Sequence, residues 1–342
     1  MKKKIILALV LALALFAFAA CGESTPSEEP GNTEGGTVKT GLAVVTTAAK
    51  SVEAGDKNGF AQADSTIVAV TVDEDGIITN CVIDSAQTQI EFSKDGKIVS
   101  DLGMVVPGKQ ELGNDYGMKK ASSIGKEWNE QATALSNYVI GKTVNEVKGI
   151  AINSEGGPAD EDLASSVTVS IGGYIDAIEK AVANAKDMGA SADDTLGLGV
   201  VTTIDKSENA GDEDGIAQAY TNYAAVTFGK DGVITSCIID ASQAEVKFSK
   251  EGKITSDLAA AIKTKNEMGE AYGMKKASSI GKEWNEQAEA FAKYVVGKTV
   301  SEVKGIALTE DGLAADTDLA SSVTVHIGPF MENIERAFKA AK

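Results

Sequence analysis

The sequence predicts an α+β fold with two tandem similar domains, each an antiparallel sheet with packed helices. Three observations support this prediction: the chain repeats itself, the first half of each repeat carries strand patterns, and the second half carries helical patterns. The length of 342 residues suits two domains of ordinary size. Hydrophobic residues form 43% of the chain and charged residues 24%, which is typical of a globular protein with a buried core.

The repeat has a period of 156 residues and aligns without a gap. Identical pairs run along its whole length: Gly41 and Gly197, Cys81 and Cys237, Trp128 and Trp284, and Lys186 and Lys342. We therefore predict a first domain over residues 40–186 (copy 1) and a second over 196–342 (copy 2), joined by a short polar linker, 187–195. At about 147 residues, each copy is long enough to have its own core.

Alternating apolar and polar residues predict strands in the first half of each copy. Residues 67–84 alternate on either side of Asp75-Gly76, a dipeptide typical of hairpin turns. A second hairpin is predicted over residues 90–98, with its turn at Asp95-Gly96. Both turns recur in copy 2, as Asp231-Gly232 and Glu251-Gly252.

Three helices are predicted in the second half of each copy. The first follows the capping residues Ser122 and Ser123, and its apolar face consists of Trp128, Ala132, Leu135 and Val139. The second opens with a capping box, formed by Thr143 and Glu146 in copy 1 and by Thr299 and Glu302 in copy 2. The last helix of copy 1 begins near Tyr174.

The first twenty residues predict a secretory signal peptide. Three lysines, Lys2 to Lys4, precede an apolar run from Ile5 to Phe18 that is short for a membrane span. The motif F-A-A-C then resembles a bacterial lipobox, so cleavage would leave Cys21 as a lipidated N-terminus on the outer face of the cell membrane. An uncleaved anchor is the alternative, and both interpretations place the rest of the chain outside the cytoplasm. Residues 21–39, rich in Ser, Thr, Pro, Gly and Glu, predict a flexible tether.

The charge and the single histidine exclude several classes of function. Acidic residues outnumber basic ones 50 to 32, so the net charge is -18, and removal of residues 1–20 would make it -21. This charge repels phosphate backbones, and we expect no nucleic-acid partner. His326 aligns with Ser170, and a lone imidazole excludes multi-histidine zinc sites and a Ser-His-Asp triad shared by both copies. The glycine-rich turns lack the spacing and the lysine of a phosphate-binding loop.

Two other groups of residues have structural interpretations. Cys81 and Cys237 lie in strand patterns, one per copy, and are predicted to be buried structural thiols. The acidic cluster Asp160, Glu161 and Asp162 is predicted to be solvated, with a calcium site as the alternative. We therefore assign no metal ligands.

Two stretches are identical in both copies and are the candidate functional segments. The longest, Tyr116–Gln131, recurs as Tyr272–Gln287, and DLASSVTV occupies residues 162–169 and 318–325. Recent duplication or a shared core would explain such identity, and the tryptophan at the start of the helical face fits core packing. Core packing does not require the polar residues that the long stretch also keeps: Lys119, Lys120, Ser122, Ser123, Lys126 and Glu127.

The segment from Asp162 to Ala181 resembles the end of the FMN-binding domain family. That family occurs in flavin-carrying subunits of sodium-pumping and electron-transfer quinone reductases and in exported electron-transfer lipoproteins. Its signature is an aspartate, then S-G-A-T, then a Ser or Thr two residues on, then a helix, and its threonine accepts FMN through a phosphoester bond. Thr168 and Thr324 take the place of that threonine. The segments GKEWNEQ and EVKGIA are also similar to exported two-domain lipoproteins of Gram-positive bacteria, so the resemblance covers both copies.

The chain departs from this signature in two ways. The Gly-Ala pair of the family is Ser166-Val167 in copy 1 and Ser322-Val323 in copy 2. The trailing hydroxyl is present as Ser170 in copy 1 but is replaced by His326 in copy 2.

The resemblance implies a covalent FMN in each copy, with its phosphate just before a helix N-terminus that stabilises the negative charge. In this interpretation a lysine adds positive charge, and a tryptophan, a tyrosine, Met118 or Met274 covers the ring. The implied cofactor-binding residues are Thr168, Thr324, Ser165, Ser321, Lys126, Lys282, Trp128 and Trp284.

The function implied is that of a lipid-anchored flavoprotein that relays electrons from a membrane quinol-linked donor to extracellular acceptors. Its partners would be the membrane, that donor and a flavin transferase, and it would be an electron carrier rather than a self-contained enzyme. The alternative is a non-enzymatic two-domain surface lipoprotein that binds a small ligand or a partner. The sequence contains no recognisable nucleophile–base pair, which argues against a self-contained hydrolase.

Overall fold

The computed structural model describes residues 35–341. The predicted signal peptide, Cys21 and most of the predicted tether therefore lie outside the described residues. Within the described range, no helix has both the length and the apolar character needed to cross a membrane.

Copy 1 contains long strands followed by short helices. Its strands are β1 (Thr37–Thr47), β2 (Gly59–Val72), β3 (Ile78–Phe92) and β4 (Val105–Pro107). Its helices are α1 (Lys109–Leu112), α2 (Trp128–Val139), α3 (Val144–Lys148), α4 (Glu161–Ala164) and α5 (Gly172–Ala183), and a 3-10 turn, Gly113–Tyr116, follows α1.

Copy 2 repeats this order after β5 (Lys186–Ser191). Its strands are β6 (Thr195–Thr203), β7 (Gly215–Phe228) and β8 (Ile234–Phe248). Its helices are α6 (Lys265–Met268), α7 (Trp284–Val295), α8 (Val300–Lys304), α9 (Thr317–Ala320) and α10 (Gly328–Ala340), with 3-10 turns at Gly269–Tyr272 and Met274–Lys276. The presence of both sheets and helices makes the protein α+β, as predicted.

The strands form two antiparallel sheets, with orders β3-β2-β1-β5 and β4-β6-β7-β8. The predicted Asp-Gly hairpins connect β2 to β3 and β7 to β8, and Gly76 and Gly232 adopt the positive φ that these turns require. The second predicted hairpin is a turn closed by a single bridge, Phe92 to Ile98, rather than a pair of strands. The chain after this turn leaves the sheet edge, so no second ladder forms.

Two predicted boundaries differ from the structure. The predicted linker, 187–195, is largely the strand β5, which pairs with β1 through Lys39–Asp187 and Thr40–Lys186. The strand β1 starts at Thr37, inside the predicted tether. Both segments are polar in sequence, and pairing along a sheet edge satisfies their backbone groups without an apolar pattern.

Each sheet is buried on both faces. The outer face of the first sheet packs against the helices of copy 1, where Val68 and Val70 meet Leu135 and Ile178. The outer face of the second sheet packs in the same way against the helices of copy 2. The inner faces pack against each other, so both copies belong to one compact unit.

The shared core between the sheets has its centre at two phenylalanines from equivalent positions. Phe92 and Phe248 stack with ring centroids 4.3 Å apart and an interplanar angle of 8°. Leu42 and Ile67 meet Leu198 and the fully buried Tyr223 in the neighbouring part of this layer. The two copies are therefore related as the subunits of a symmetric dimer would be.

The copies also exchange backbone pairing. The strand β4 of copy 1 pairs with β6 of copy 2, and the reciprocal contact is a bridge from Thr46 to Ile262. A hydrogen bond of 2.7 Å between the hydroxyls of Thr40 and Ser236 adds a buried polar contact between copies.

Glycines allow the last helix of each copy to lie directly on its sheet. A Cβ at Gly41 would overlap the carbonyl oxygen of Ala181 on α5, and one at Gly197 would overlap that of Ala337 on α10. The identity of this glycine pair in the repeat is thus explained by close helix–strand packing.

Replacing Phe92 by alanine is expected to lower the free energy of unfolding by roughly 3–5 kcal/mol, because a fully buried ring is lost from the core that both copies share. Urea unfolding followed by circular dichroism should show one transition at a lower midpoint. The control is Val99→Ala, at a side chain 51% exposed, which should change stability by less than about 0.5 kcal/mol. Two well-separated transitions in the unsubstituted protein would contradict a shared core.

Candidate functional site

The two identical stretches of copy 1 meet at the side chain of Gln131, which is fully buried on α2. Its Oε1 accepts hydrogen bonds from the backbone N–H of Thr168 at 2.8 Å and of Val169 at 3.2 Å. The Thr168 hydroxyl also donates to Oε1, at 3.2 Å. One amide oxygen therefore positions the loop that carries the motif threonine.

The amide nitrogen of Gln131 binds the other identical stretch. Nε2 donates to the hydroxyl of Ser122 at 3.2 Å and to the carbonyl of Lys126 at 3.3 Å. A single buried side chain thus ties the loop before α2 to the loop after α4, and all of its polar atoms are used, as burial requires.

Copy 2 reproduces this arrangement. Gln287 is fully buried and accepts from the Thr324 backbone N–H at 2.7 Å and from its hydroxyl at 3.2 Å. Its amide nitrogen donates to Ser278 and to the carbonyl of Lys282. The recurrence shows that the identical residues form one spatial unit in each copy.

A buried glutamate orders the loop before α2. Glu127 is 3% exposed, and its carboxylate accepts from the backbone N–H groups of Met118 at 2.8 Å and Lys119 at 3.0 Å. Glu127 is also the N-cap of α2, in a capping box with Glu130. The prediction that Ser122 and Ser123 cap this helix is wrong, because the glutamate accepts the hydrogen bonds and the serines lie a turn earlier in the loop.

The predicted attachment residues lie at the surface. Thr168 is exposed and Thr324 is half-buried, while the valine before each is buried and anchors the loop. The hydroxyls of Ser165 and Ser321 donate to the carbonyls of Asp162 and Asp318, at 2.7 and 2.6 Å. The threonines are thus accessible, whereas the serine hydroxyls complete the last turns of α4 and α9.

The two tryptophans lie in the cores of their copies. Trp128 is 3% exposed and its indole N–H donates to the Tyr174 hydroxyl at 3.1 Å. Trp284 is 4% exposed and meets Phe330 edge-on, with ring centroids 5.7 Å apart. Both tryptophans pack α2 and α7 against the cores of their copies. Neither has an exposed ring face that could cover a flavin, as the resemblance implied.

Two further features adjoin the Thr168 loop, the backbone of Lys126 and the start of α5. The backbone of Lys126 is fixed by Gln131, and its side chain is half-buried, as is that of Lys282. The helix α5 begins at Gly172, four residues after Thr168, without an acidic residue in its first turn or a side-chain cap. In copy 2, Pro329 removes one backbone N–H from the equivalent first turn of α10.

The sequence analysis did not identify a lysine in each copy that packs against aromatic rings of the long identical stretch. Lys265 is 4% exposed, its Nζ donates to the Tyr220 hydroxyl at 2.8 Å, and it lies 4.4 Å from the Tyr272 ring centroid and 5.0 Å from that of Trp284. Burial lowers the pKa of Lys265 to about 8. Its equivalent, Lys109, donates to Tyr116 at 2.7 Å. The available signal was the identity of this lysine in both copies, seven residues before the long identical stretch.

In each copy, a buried aspartate on the sheet binds the backbone next to this lysine. Asp84 is 3% exposed and accepts from the backbone N–H of Gln110 at 2.9 Å, next to Lys109. Burial raises its pKa to about 7, although its backbone hydrogen bonds oppose the shift. Asp240 binds Asn266 in the same way, and burial raises its pKa to about 6.

The remaining predicted residues have structural positions. Cys81 and Cys237 are free and buried as predicted, and burial raises the pKa of each thiol to about 12. Asp160 caps α4 by accepting from the Leu163 N–H, and His326 is exposed in the loop before α10. Within residues 35–341, no three His, Cys, Asp or Glu side chains gather as a possible metal site.

Comparison with known proteins finds a similarity over a short part of the chain. No protein-family model matches the chain, and no solved structure matches it. The sequence is similar to a chlorophenol reductase of Desulfitobacterium hafniense, with 54% identity over 41 residues. This match covers 12% of the chain and 12% of that protein.

Replacing Gln131 by leucine is expected to loosen the Thr168 loop without unfolding copy 1, because the substitution keeps the volume but leaves the Thr168 and Val169 N–H groups unpaired. Hydrogen exchange of the amides at 168 and 169 should accelerate about 10- to 100-fold. The matched variant Gln287→Leu should affect residue 324 only, because Gln287 accepts from the Thr324 backbone and hydroxyl. Unchanged exchange in both loops would show that the glutamines do not position them.

Replacing Asp84 by asparagine is expected to remove part of the pH dependence of stability. The carboxyl titrates near pH 7 in the folded protein and near its ordinary value, 3.8, when unfolded. Between these values the folded state binds the extra proton, so the free energy of unfolding falls as the pH rises. Asp84→Asn should therefore gain stability over the unsubstituted protein at pH 8, by at most about 4 kcal/mol.

Urea titrations at pH 4 and pH 8 measure this effect, and the advantage of the variant should shrink towards pH 4. The control is Asp75→Asn, at an exposed turn, which makes the same charge change and should show the same small difference at both pH values. An equal effect of Asp84→Asn at the two pH values would contradict the titration.

Proposed function

We propose that this protein is an extracytoplasmic electron carrier that holds one FMN in each copy, attached through Thr168 and Thr324. The observation that carries the proposal is the meeting of the two identical stretches at Gln131 and Gln287, beside a surface threonine. Core packing alone does not explain why both copies keep the same polar network around the same hydroxyl.

The geometry suits covalent attachment at a defined position. The buried amide of Gln131 fixes the backbone of the Thr168 loop, and the buried Val167 anchors it from below. Thr168 is nevertheless an exposed residue, and a second protein can reach it once its hydroxyl turns away from Gln131. A rigid loop with an accessible hydroxyl is what an attaching enzyme and a fixed cofactor both require.

The residues around Thr168 also suit a phosphate. The N-terminal end of α5 offers backbone N–H groups at Gly172 and Gly173, where the helix dipole favours negative charge. The backbone carbonyl of Lys126 and the backbone N–H of Thr168 both bind the side-chain amide of Gln131. We assign Thr168 the attachment, the start of α5 and Lys126 the phosphate, and Ser165 the stability of the loop. Thr324, α10, Lys282 and Ser321 have the same roles in copy 2.

FMN supplies the redox chemistry, and the chain supplies attachment, spacing and electrostatics. In the attachment step the threonine Oγ would form a bond to the FMN phosphorus as the phosphoanhydride bond of an activated flavin donor breaks, the other phosphate of that donor would leave, and a base of the attaching enzyme would take the hydroxyl proton. That step belongs to a separate flavin transferase. Covalent attachment keeps the cofactor on a protein that works outside the cell, where a dissociated flavin would be lost by diffusion.

The finer organisation follows from this function. We propose that copies 1 and 2 are two similar domains, each with one flavin, held at a fixed separation by their shared core. Lipidation at Cys21 would place both at the membrane surface, next to a quinol-linked donor, with extracellular molecules as acceptors. The similarity over 41 residues to a protein named as a reductase is compatible with redox chemistry.

The second candidate is a surface lipoprotein that binds a ligand or partner without a flavin. It is favoured by the departure from Gly-Ala, because Val167 and Val323 are buried and give the motif loop a packing role. The attachment experiment distinguishes the two candidates.

Co-expression with a flavin transferase is expected to add two FMN-phosphoryl groups to the chain, on Thr168 and Thr324. Intact mass measurement with fragment mapping is the test, on a chain starting at residue 22. Thr168→Ala and Thr324→Ala should each remove one group, and the double variant should be colourless. The control Ser165→Ala, at a hydroxyl already bonded within α4, should keep both groups.

An unmodified, colourless chain would overturn the proposal, provided that a known substrate is flavinylated in the same cells. Modification at any residue other than these threonines would overturn the site assignment. The first outcome would support the surface binding protein.

A further inference from the structure

A cavity of about 520 Å³ lies between the copies, and neither Thr168 nor Thr324 lines it. It is lined by β3 of copy 1 and β6 of copy 2, with α2 and α10 on either side. Its volume is in the range of pockets that bind ligands, roughly 300–1,000 Å³.

The equivalent place on the other side of the molecule is filled by β5. This strand pairs with the edge of β1 at Lys39 and Thr40 and contacts β8. Beyond the paired residues, side chains of copy 1 complete the edge of β1. Asn184 donates to the Leu42 carbonyl at 3.0 Å, and Lys180 donates to the Val44 carbonyl at 2.9 Å. The edge of β1 is thus covered by a strand and two side-chain donors.

The same edge of β6 pairs with β4 from Val201 to Thr203, but before Val201 it lacks such partners within the described part of the chain. Leu196, Leu198 and Val200 are equivalent to Thr40, Leu42 and Val44, and all three line the cavity. Ala340 stands where Asn184 does, so that donor is missing. Arg336 replaces Lys180 and is held by Glu111 and Glu332 instead. Alternate residues of a strand direct their backbone N–H and C=O groups to the same edge. The backbone groups of Leu196, Leu198 and Val200 therefore face the cavity.

A buried hydroxyl gives an independent sign that this cavity accepts a polar group. Ser136 on α2 is 4% exposed and lines the cavity beside the Cys81 thiol. Its Oγ has no oxygen or nitrogen partner among residues 35–341. The equivalent residue beside the filled groove is Ala292, which needs none. The Cys81 thiol is only a weak hydrogen-bond partner for Ser136, so an occupant that offers an oxygen or nitrogen to this hydroxyl would be stabilised.

We propose that this cavity, the β3/β6 groove, binds an extended segment of a partner polypeptide that adds as a strand to the edge of β6. The occupant of the equivalent groove shows the chemistry required: β5 is a short strand with the sequence Lys-Asp-Met-Gly-Ala-Ser, and its Ala190 is buried. The partner segment is therefore extended, with small side chains facing the sheets and polar ends. Backbone hydrogen bonds to Leu196, Leu198 and Val200 supply the affinity.

The test uses a labelled peptide with the sequence of residues 185–192, Ala-Lys-Asp-Met-Gly-Ala-Ser-Ala, added to the chain starting at residue 22. Fluorescence anisotropy should show saturable binding below about 1 mM. A peptide N-methylated at Lys186 and Ala190, which pair with Thr40 and Val38 in the filled groove, should bind at least about tenfold more weakly, because these positions can no longer donate to a strand edge.

Two matched tryptophan variants locate the binding. Thr133 is exposed on α2 and lines the β3/β6 groove, so Thr133→Trp should fill it and weaken binding at least about tenfold. Glu289 is the equivalent exposed residue on α7, and Glu289→Trp should leave binding unchanged. Both changes are at surface helix positions, so circular dichroism should show folded proteins.

Several outcomes would overturn the proposal. They are absence of binding up to 1 mM, equal binding by the N-methylated peptide, and loss of binding in Glu289→Trp but not in Thr133→Trp, which would indicate exchange with β5. A co-purifying small molecule that Thr133→Trp removes would make the groove a ligand pocket. Self-association abolished by Thr133→Trp would assign it to a second copy of the chain. None of these outcomes bears on the flavin test, which reads modification of Thr168 and Thr324.

Discussion

Packing of the two inner sheet faces against each other is the interaction on which the rest of the structure depends. Each sheet has an apolar outer face that its own helices cover and an apolar inner face that they cannot reach. Burial of the inner faces, with Phe92 stacked on Phe248, removes this second apolar surface from water. The two copies therefore share a buried layer and lie in one compact unit.

The candidate sites depend on a different constraint, which is that buried polar groups must be paired. Gln131 and Glu127 are buried and satisfy their hydrogen bonds only by holding loops in fixed positions. Thr168 is therefore an exposed residue whose backbone is held in place by Gln131. The proposed attachment needs this combination.

The near-symmetry of the two copies makes their differences informative. The same edge is covered by β5 in copy 1 and lines a cavity in copy 2. The site loops also differ, since Ser170 becomes His326 and Gly173 becomes Pro329. The first difference concerns a sheet edge and the second a helix start, so the copies share a scaffold but not an identical environment.

The sequence alone determined the duplication, the Asp-Gly hairpins, the apolar face of α2 and the capping boxes of α3 and α8, because each is a local pattern. It also marked the residues identical in both copies. Only the tertiary structure decided that Gln131 binds Thr168, 37 residues further along the chain, and that the polar linker is a strand. These features depend on which surfaces meet, and burial between distant segments leaves no periodic signal along the chain.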